Sequence, residues 1–272
     1  MQCLVDGSTV HVDATEPAVI PLDAAPDAIV LVHGAANDHR AWWPVAPGLA
    51  RAGYAVYAAD LPAHGGSRGP LCTDVAQMAV WLLKVLDACG LERCALAGHS
   101  MGSLVALHAA GLAPQRISHL ALVGTAWPMR VAPALLERAQ NQSDAALRNM
   151  AMWSHQQQDG RPLQPELVQQ TLELMQSVQA GCAQGNALAT DLAACNAYAD
   201  APDMAARVRA PAAFILGAHD RMTPAKAASR LREALPQARV TTLDAGHALM
   251  SEAPDAVVQA LATLLAQKAQ RP

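Results

Sequence analysis

The sequence predicts an α/β fold: a mostly parallel, twisted sheet flanked by helices. Short apolar runs near 28–33, 54–59, 93–98, 118–123, 212–217 and 239–243 alternate with helical periodicity near 41–52, 73–89, 101–112, 225–235 and 254–268. That alternation is the pattern of parallel strands joined by crossover helices. Between Thr125 and Arg207 it fails and only helix-like stretches appear, which marks an insertion. A chain of 272 residues is normal for one α/β domain carrying an insertion. Folding at this length buries roughly three quarters of the unfolded surface.

The elements follow in order. The opening stretch to about Asp23 is expected to form antiparallel edge strands. Ala28-Ile29-Val30-Leu31-Val32 is strongly apolar and leads into His33-Gly34-Ala35-Ala36. Gly53 and Gly90 stand where helices should stop. Arg93-Cys94-Ala95-Leu96-Ala97 is a short strand-like run, and Met101 to Ala113 reads as a helix closed by Pro114. In the insertion, helical stretches near 133–141, 143–157, 165–179 and 186–197 are broken by Pro133, Gly160, Pro162 and Pro165. Ala212–Gly217 reads as a buried strand, with Ala218-His219-Asp220-Arg221-Met222-Thr223-Pro224 as the loop beyond it. Arg239–Leu243 reads as the next strand, followed by Asp244-Ala245-Gly246-His247. The last helix shows a one-faced stripe of Val257, Val258, Leu261, Leu264 and Leu265. The expected division is a core of residues 1–124 and 206–272, with 125–205 as the helical insertion.

Gly98-His99-Ser100-Met101-Gly102 fits Gly-x-Ser-x-Gly and sits between a strand and a helix, the context this motif needs. The serine must occupy a sharp turn, and a glycine on each side relieves the backbone crowding there. The helix behind it points unpaired N–H groups at any negative charge forming nearby. A serine hydroxyl is a poor nucleophile at neutral pH; it needs a base, and the base needs an orienting carboxylate. Asp220 lies just past a strand end, where open parallel sheets place their ligands. His247 follows the next strand. The chain order is Ser100, Asp220, His247.

The other nine histidines are weaker candidates for the base. His33, His64 and His99 belong to turns with structural roles. His219 precedes the last strand, and His11, His39, His108, His119 and His155 have no motif support. For the acid, Asp244 lies too near His247 along one loop, and Asp38 sits in a different loop.

These stretches together resemble the α/β-hydrolases, in particular small bacterial esterases and enol-lactonases. The matching residues are His33-Gly34, Asp60-Leu61-Pro62-Ala63-His64-Gly65-Gly66-Ser67, Gly98–Gly102, Gly217–Pro224 and Gly246-His247. Asp191-Leu192-Ala193-Ala194-Cys195-Asn196 is also similar to a cap-to-core stretch of such hydrolases. The chain departs from the pattern at Ala63, usually a glycine, and at Ser103, often one.

The resemblance implies an α/β-hydrolase fold with a helical cap inserted after strand 6. It implies Ser100, His247 and Asp220 as a triad, with the amides of Ala35 and Met101 as the oxyanion hole and Gly34 admitting substrate close to the backbone. The expected reaction is cleavage of carboxylic esters through an acyl-enzyme, with no cofactor. The alternatives are an enol-lactonase, a carbon–carbon bond hydrolase of ring-cleavage products, a thioesterase, or a fold relative that only binds a small molecule.

Trp127, Met129, Met150 and Trp153, with Met152 and Met175, either line the cap's roof or fill its core. The insertion carries few charges, so small uncharged esters are the expected substrates. Arg130, Arg138, Arg148 and Arg161 read as solvated side chains.

The net charge of −4 and the lack of any basic stripe argue against a nucleic-acid partner. No apolar run reaches the ~20 residues of a membrane span. The first residues lack the basic start of an export signal. Six cysteines, at 3, 72, 89, 94, 182 and 195, form no Cys-x-x-Cys pair, so reduced thiols in a cytoplasm are expected. No His-Glu-x-x-His or paired-cysteine metal set is present. The glycines at 65, 66 and 69 read as turn formers, and Trp42-Trp43 as a packing pair. The expected partner is a small-molecule substrate alone, with the chain a monomer or homodimer.

Overall fold

A computed structural model describes residues 1–17, 27–183 and 185–268. Eight strands form one sheet in the order β1-β2-β4-β3-β5-β6-β9-β10. They are β1 (Gln2–Val5), β2 (Ser8–Thr15), β3 (Ala28–Val32), β4 (Ala55–Ala59), β5 (Cys94–His99), β6 (Ile117–Val123), β9 (Ala212–Gly217) and β10 (Arg239–Leu243). The pairs β1/β2 and β2/β4 are antiparallel; every other pair is parallel. The opening stretch thus supplies two edge strands, while residues 18–23 of that expectation lie outside the described residues.

The central strands are apolar on both sides because helices cover both faces. In β3, Val30 and Val32 join one core and Ile29 and Leu31 the other. The first core packs against α2 (Val75–Ala88) and α3 (Met101–Leu112), the second against α1 (Ala46–Arg51) and α11 (Pro254–Leu265). Helix α3 is buried nearly all round, so it shows no amphipathic stripe. It lies between the sheet, α2 and the short α8 (Ala201–Ala205).

Between β6 and β9 run α4 (Pro133–Asn141), α5 (Ser143–Ser154), α6 (Pro165–Gly181), α7 (Ala187–Ala197) and α8. A two-stranded hairpin, β7 (Gln157–Gln158) and β8 (Arg161–Pro162), separates α5 from α6. Its turn is Asp159-Gly160, both at positive φ, the favoured two-residue hairpin geometry. The sequence predicts helix over 143–157 and no strand here; α5 instead ends at Ser154.

The helix expected over 41–52 is instead a 3₁₀ turn, His39–Trp42, followed by α1. Pro44 and Pro47 lack the N–H groups a continuous helix needs there. The stretch 225–235 likewise divides into a 3₁₀ turn, Ala225–Ala228, and α9 (Ser229–Ala234). A last short helix, α10 (Leu249–Glu252), precedes α11, which ends at Leu265 rather than 268.

Candidate active site

Ser100 lies between β5 and α3 with φ +52° and ψ −118°. A non-glycine residue held there costs of order 1–3 kcal/mol and persists only when its surroundings fix it. The surroundings do. A Cβ on Gly98 would fall within 3.0 Å of the Gly102 backbone, and one on Gly102 would meet the Val32 and His33 carbonyl oxygens as closely. Backbone cannot step aside, so α3 meets β5 this tightly only with glycine at 98, and meets the end of β3 this tightly only with glycine at 102. Ser103 adds a tie absent from a glycine: its Oγ donates to the Ser100 carbonyl at 2.5 Å and lies 2.7 Å from Thr125 Oγ1.

Past β9, Asp220 is buried and fully bonded. Its Oδ1 accepts from the N–H groups of Met222 (2.9 Å) and Thr223 (2.7 Å). Its Oδ2 lies 2.8 Å from His247 Nδ1 and 2.7 Å from Thr223 Oγ1. Burial alone would raise the Asp220 pKa; the facing His247 and the bonds from His247 and Thr223 outweigh it and hold Asp220 well below the usual carboxylate range. The ionised carboxylate can only accept, so His247 donates from Nδ1 and keeps its Nε2 lone pair free. Thr223 Oγ1 also bonds the Gly124 carbonyl at 2.9 Å, tying this pair to the end of β6.

The loop carrying His247 is pinned by Glu252, whose two oxygens accept from the N–H groups of Gly246 and Gln156. The His99 ring stands 4.7 Å from that of His247, and its Nε2 bonds the His247 carbonyl at 2.9 Å. Burial first, and then the neighbouring His247, push the His99 pKa down to about 3, so His99 is a neutral donor at this contact.

Ser100 and His247 line one cavity of about 700 Å³, together with Gly34, Ala35, Met129, Met150 and Trp153. The Gly34 backbone lies close to Ser100, since a Cβ there would sit 3.2 Å from the Ser100 Cβ. The N–H groups of Ala35 and Met101 have no acceptor among the described residues. Met101 itself is fully buried at the start of α3.

Trp127 does not line the cavity. It packs on the main core, its Nε1 donating to the Tyr198 carbonyl at 3.3 Å, with the Arg230 guanidinium 6.0 Å from its ring. Its large apolar surface is taken up beside α7 and α9 instead. Arg138, Arg148 and Arg161 do not line the cavity, but Arg130 does, together with Arg40 and Arg221. Arg40 is held by Asp38 and Ser177, and Arg221 bonds Gln157. Arg130 has no side-chain partner among the described residues. The alternative acid Asp244 faces His219 at 2.9 Å in an exposed pair, away from His247.

For two sets of residues the sequence assigns no role at the site. Thr223 had a local signal: an aspartate whose oxygen caps the N–H groups two and three residues on is an Asx-type turn. The second set joins distant segments. Asp191, on α7, accepts through Oδ2 from the Ala36 N–H at 2.8 Å and lies 3.0 Å from His64 Nε2. Elsewhere, His11, His39 and Asp60 bring one ligand-type atom each within 4.8 Å of one another. Both Asp60 oxygens are already engaged, Oδ1 by the backbone N–H and ring of His39 and Oδ2 by the Gly66 N–H.

With this geometry in place, the chain matches the α/β hydrolase fold family over residues 27–254 and belongs to it. It is 31% identical over 228 residues to the pimeloyl-[acyl-carrier protein] methyl ester esterase of Chromobacterium violaceum, covering 80% of this chain and 85% of that one. It is 30% identical over 227 residues to a 2-hydroxy-6-oxononadienedioate/2-hydroxy-6-oxononatrienedioate hydrolase of Paraburkholderia phymatum, covering 79% and 78%. Over 99 residues it is 43% identical to the dihydrolipoyllysine-residue acetyltransferase component of the acetoin cleaving system of Pseudomonas putida, spanning only 26% of that protein's length. In fold it is similar to the enol-lactonase from Burkholderia xenovorans, with a TM-score of 0.84 at 23% identity, over 98% of this chain and all of that one. No helix among the described residues is long and apolar enough to cross a membrane.

Proposed function

We propose that this hydrolase cleaves carboxylic esters of small, mostly uncharged substrates with Ser100 as nucleophile, His247 as base and Asp220 as the orienting acid. The observation that carries the reading is the 2.8 Å contact between His247 Nδ1 and Asp220 Oδ2, set in a cavity that Ser100 also lines. His247 Nε2 takes the Ser100 proton as Oγ bonds to the ester carbonyl carbon. The oxyanion is received by the unpaired N–H groups of Ala35 and Met101. Collapse breaks the carbon–oxygen bond, and the alcohol leaves with the proton from His247. Water then gives its proton to His247, attacks the acyl-enzyme and releases the acid and Ser100.

Helices α4 to α7, within residues 125–205, act as the cap. Met129, Met150 and Trp153 give the cavity an apolar wall suited to an acyl chain, and its volume lies in the ordinary ligand-pocket range.

One observation favours a second reading. Arg130 lines the cavity as a cation without a protein partner among the described residues, and it could hold the carboxylate of an anionic ring-cleavage product. The two readings differ in kcat/KM for p-nitrophenyl butyrate against such an anion. The ester should be preferred. A hundredfold preference for the anion, lost on Arg130→Ala, would replace the esterase reading with carbon–carbon bond hydrolysis. In either case Ser100→Ala should lower kcat by about 10⁶, and appreciable turnover by this variant would remove the nucleophile assignment.

A further inference from the structure

We propose that the buried Asp191–His64 pair is a proton-holding tether that fixes the oxyanion loop to cap helix α7, making both positioning residues for catalysis. This rests on the ester-hydrolase reading above. Three segments meet at one oxygen. Asp191 Oδ2, from α7, accepts from the N–H of Ala36, the residue after the proposed oxyanion donor Ala35, and faces His64 Nε2 from the loop after β4. Ala36 adopts φ +52°, a conformation an alanine keeps only under constraint.

The proton count follows from the partners. His64 Nδ1 lies 3.0 Å from the Pro62 carbonyl, and Nε2 lies 3.0 Å from the Asp191 carboxylate. Both partners are acceptors, so both ring nitrogens carry protons and the pair holds one proton more than a neutral imidazole beside a carboxylate. That proton belongs on the imidazole, whose intrinsic pKa exceeds an aspartate's by over two units. Other groups face the pair. His33 stands with its ring 5.1 Å from that of His64, Asp60 acts on His64 from the end of β4, and Cys72 and Cys195 lie near Asp191. Burial opposes the charge on His64, but Asp191 and Asp60 outweigh it and raise its pKa.

Stability alone does not account for the pair. Buried ion pairs are often no better than apolar packing, and Asp191 Oδ1 is buried without a partner among the described residues. Its geometry instead serves the loop. A neutral pair holds Ala36 without placing net negative charge behind a site where an oxyanion must form. Above the raised His64 pKa the proton leaves and that charge appears.

The test compares wild type with Asp191→Asn, which keeps the shape and an acceptor for Ala36, and with Asp191→Ala. Nitrogen-15 NMR of the imidazoles near neutral pH should show both His64 nitrogens protonated in wild type and only one in Asp191→Asn. For Asp191→Ala, kcat should fall roughly tenfold to a hundredfold, below the loss for a whole oxyanion donor, while KM moves little. On the alkaline side, wild-type kcat should decline as His64 loses its proton, and Asp191→Asn should lack that limb.

A neutral His64 in wild type would overturn the tether. So would unchanged kcat in both variants, or the same alkaline limb in wild type and Asp191→Asn. Labelling by a serine-directed phosphonate separates this from the underlying reading. Unmoved kcat with labelling intact overturns the tether alone; an unlabelled wild type overturns the nucleophile and the tether with it.

Discussion

Asp220→Asn is the sharpest perturbation of the site, because the surrounding bonds dictate which way the new amide must point. Oδ1 of Asp220 receives two backbone N–H groups, from Met222 and Thr223. An asparagine must therefore place its carbonyl oxygen there, since the amide NH₂ would face two donors. Its NH₂ is then forced toward His247 Nδ1, where the carboxylate oxygen had accepted at 2.8 Å. The amide donates, so His247 must present Nδ1 as acceptor and carry its proton on Nε2. That is the wrong tautomer for the proposed proton transfer from Ser100.

Thr223 can adapt, accepting from the amide while donating to the Gly124 carbonyl at 2.9 Å. The fold should therefore survive. The expected loss in kcat is up to about 10⁴, the size found when the same exchange is made in a serine protease triad. Stability at neutral pH should fall by about 1–3 kcal/mol, as charge-assisted bonds become ordinary ones. The sign with pH is fixed by the depressed Asp220 pKa. Its contribution is fully present above the unfolded value, near 3.9, and is lost as pH falls through the lower folded value. The stability gap between wild type and variant should therefore close in acid. Steady-state ester hydrolysis and urea unfolding across pH read both effects. A variant retaining more than about a tenth of wild-type kcat would refute the tautomer argument. Asp244→Asn, in its exposed pair with His219, serves as the control and should change kcat little.

Two further substitutions test the backbone. Gly98→Ala or Gly102→Ala drives a Cβ into backbone on the facing segment, so each should cost more than about 3 kcal/mol in urea unfolding and abolish turnover; a stable, active variant would mean that α3 can move away from β5 (Gly98) or from the end of β3 (Gly102). Ala63 sits at φ +64°, and Ala63→Gly exchanges a left-handed penalty of about 1–2 kcal/mol for about 0.5–1 kcal/mol of backbone entropy. It should raise stability slightly, by roughly 0.5 kcal/mol, and a loss beyond about 1 kcal/mol would contradict that comparison.

What was legible in the sequence divides along chain separation. The strands, the serine turn, and the loops bearing Asp220 and His247 are written locally, in apolar runs and in the residues just past strand ends. A glycine at 98 or 102 speaks only of one turn. The departure at Ala63 was visible too, and its physical meaning, a non-glycine at positive φ, became clear once the backbone was placed. The Asp159-Gly160 hairpin is equally local: the neighbouring proline and glycine break the helical pattern, and the Asp-Gly dipeptide is itself a turn signal.

The direction of side chains on the inserted helices was not legible. Met129, Met150 and Trp153 face the cavity while Trp127 packs beside α7 and α9, yet all four read alike as large apolar residues. Arg130 lines the cavity while Arg138, Arg148 and Arg161 do not, and nothing in their spacing separates them. The tether between Asp191 and Ala36 joins positions 155 residues apart. The resemblance marks Asp191 only as part of a cap-to-core stretch; its partners, the Ala36 N–H and the His64 imidazole, come from segments that only the fold brings to it. On the proposed reading, the chemistry of the site is carried by short motifs, whereas its selectivity and the proposed bracing of the Ala35–Ala36 loop are carried by tertiary contacts of the insertion. Substitutions in the insertion should accordingly move kcat through positioning, or change substrate preference, without touching the residues that name the reaction.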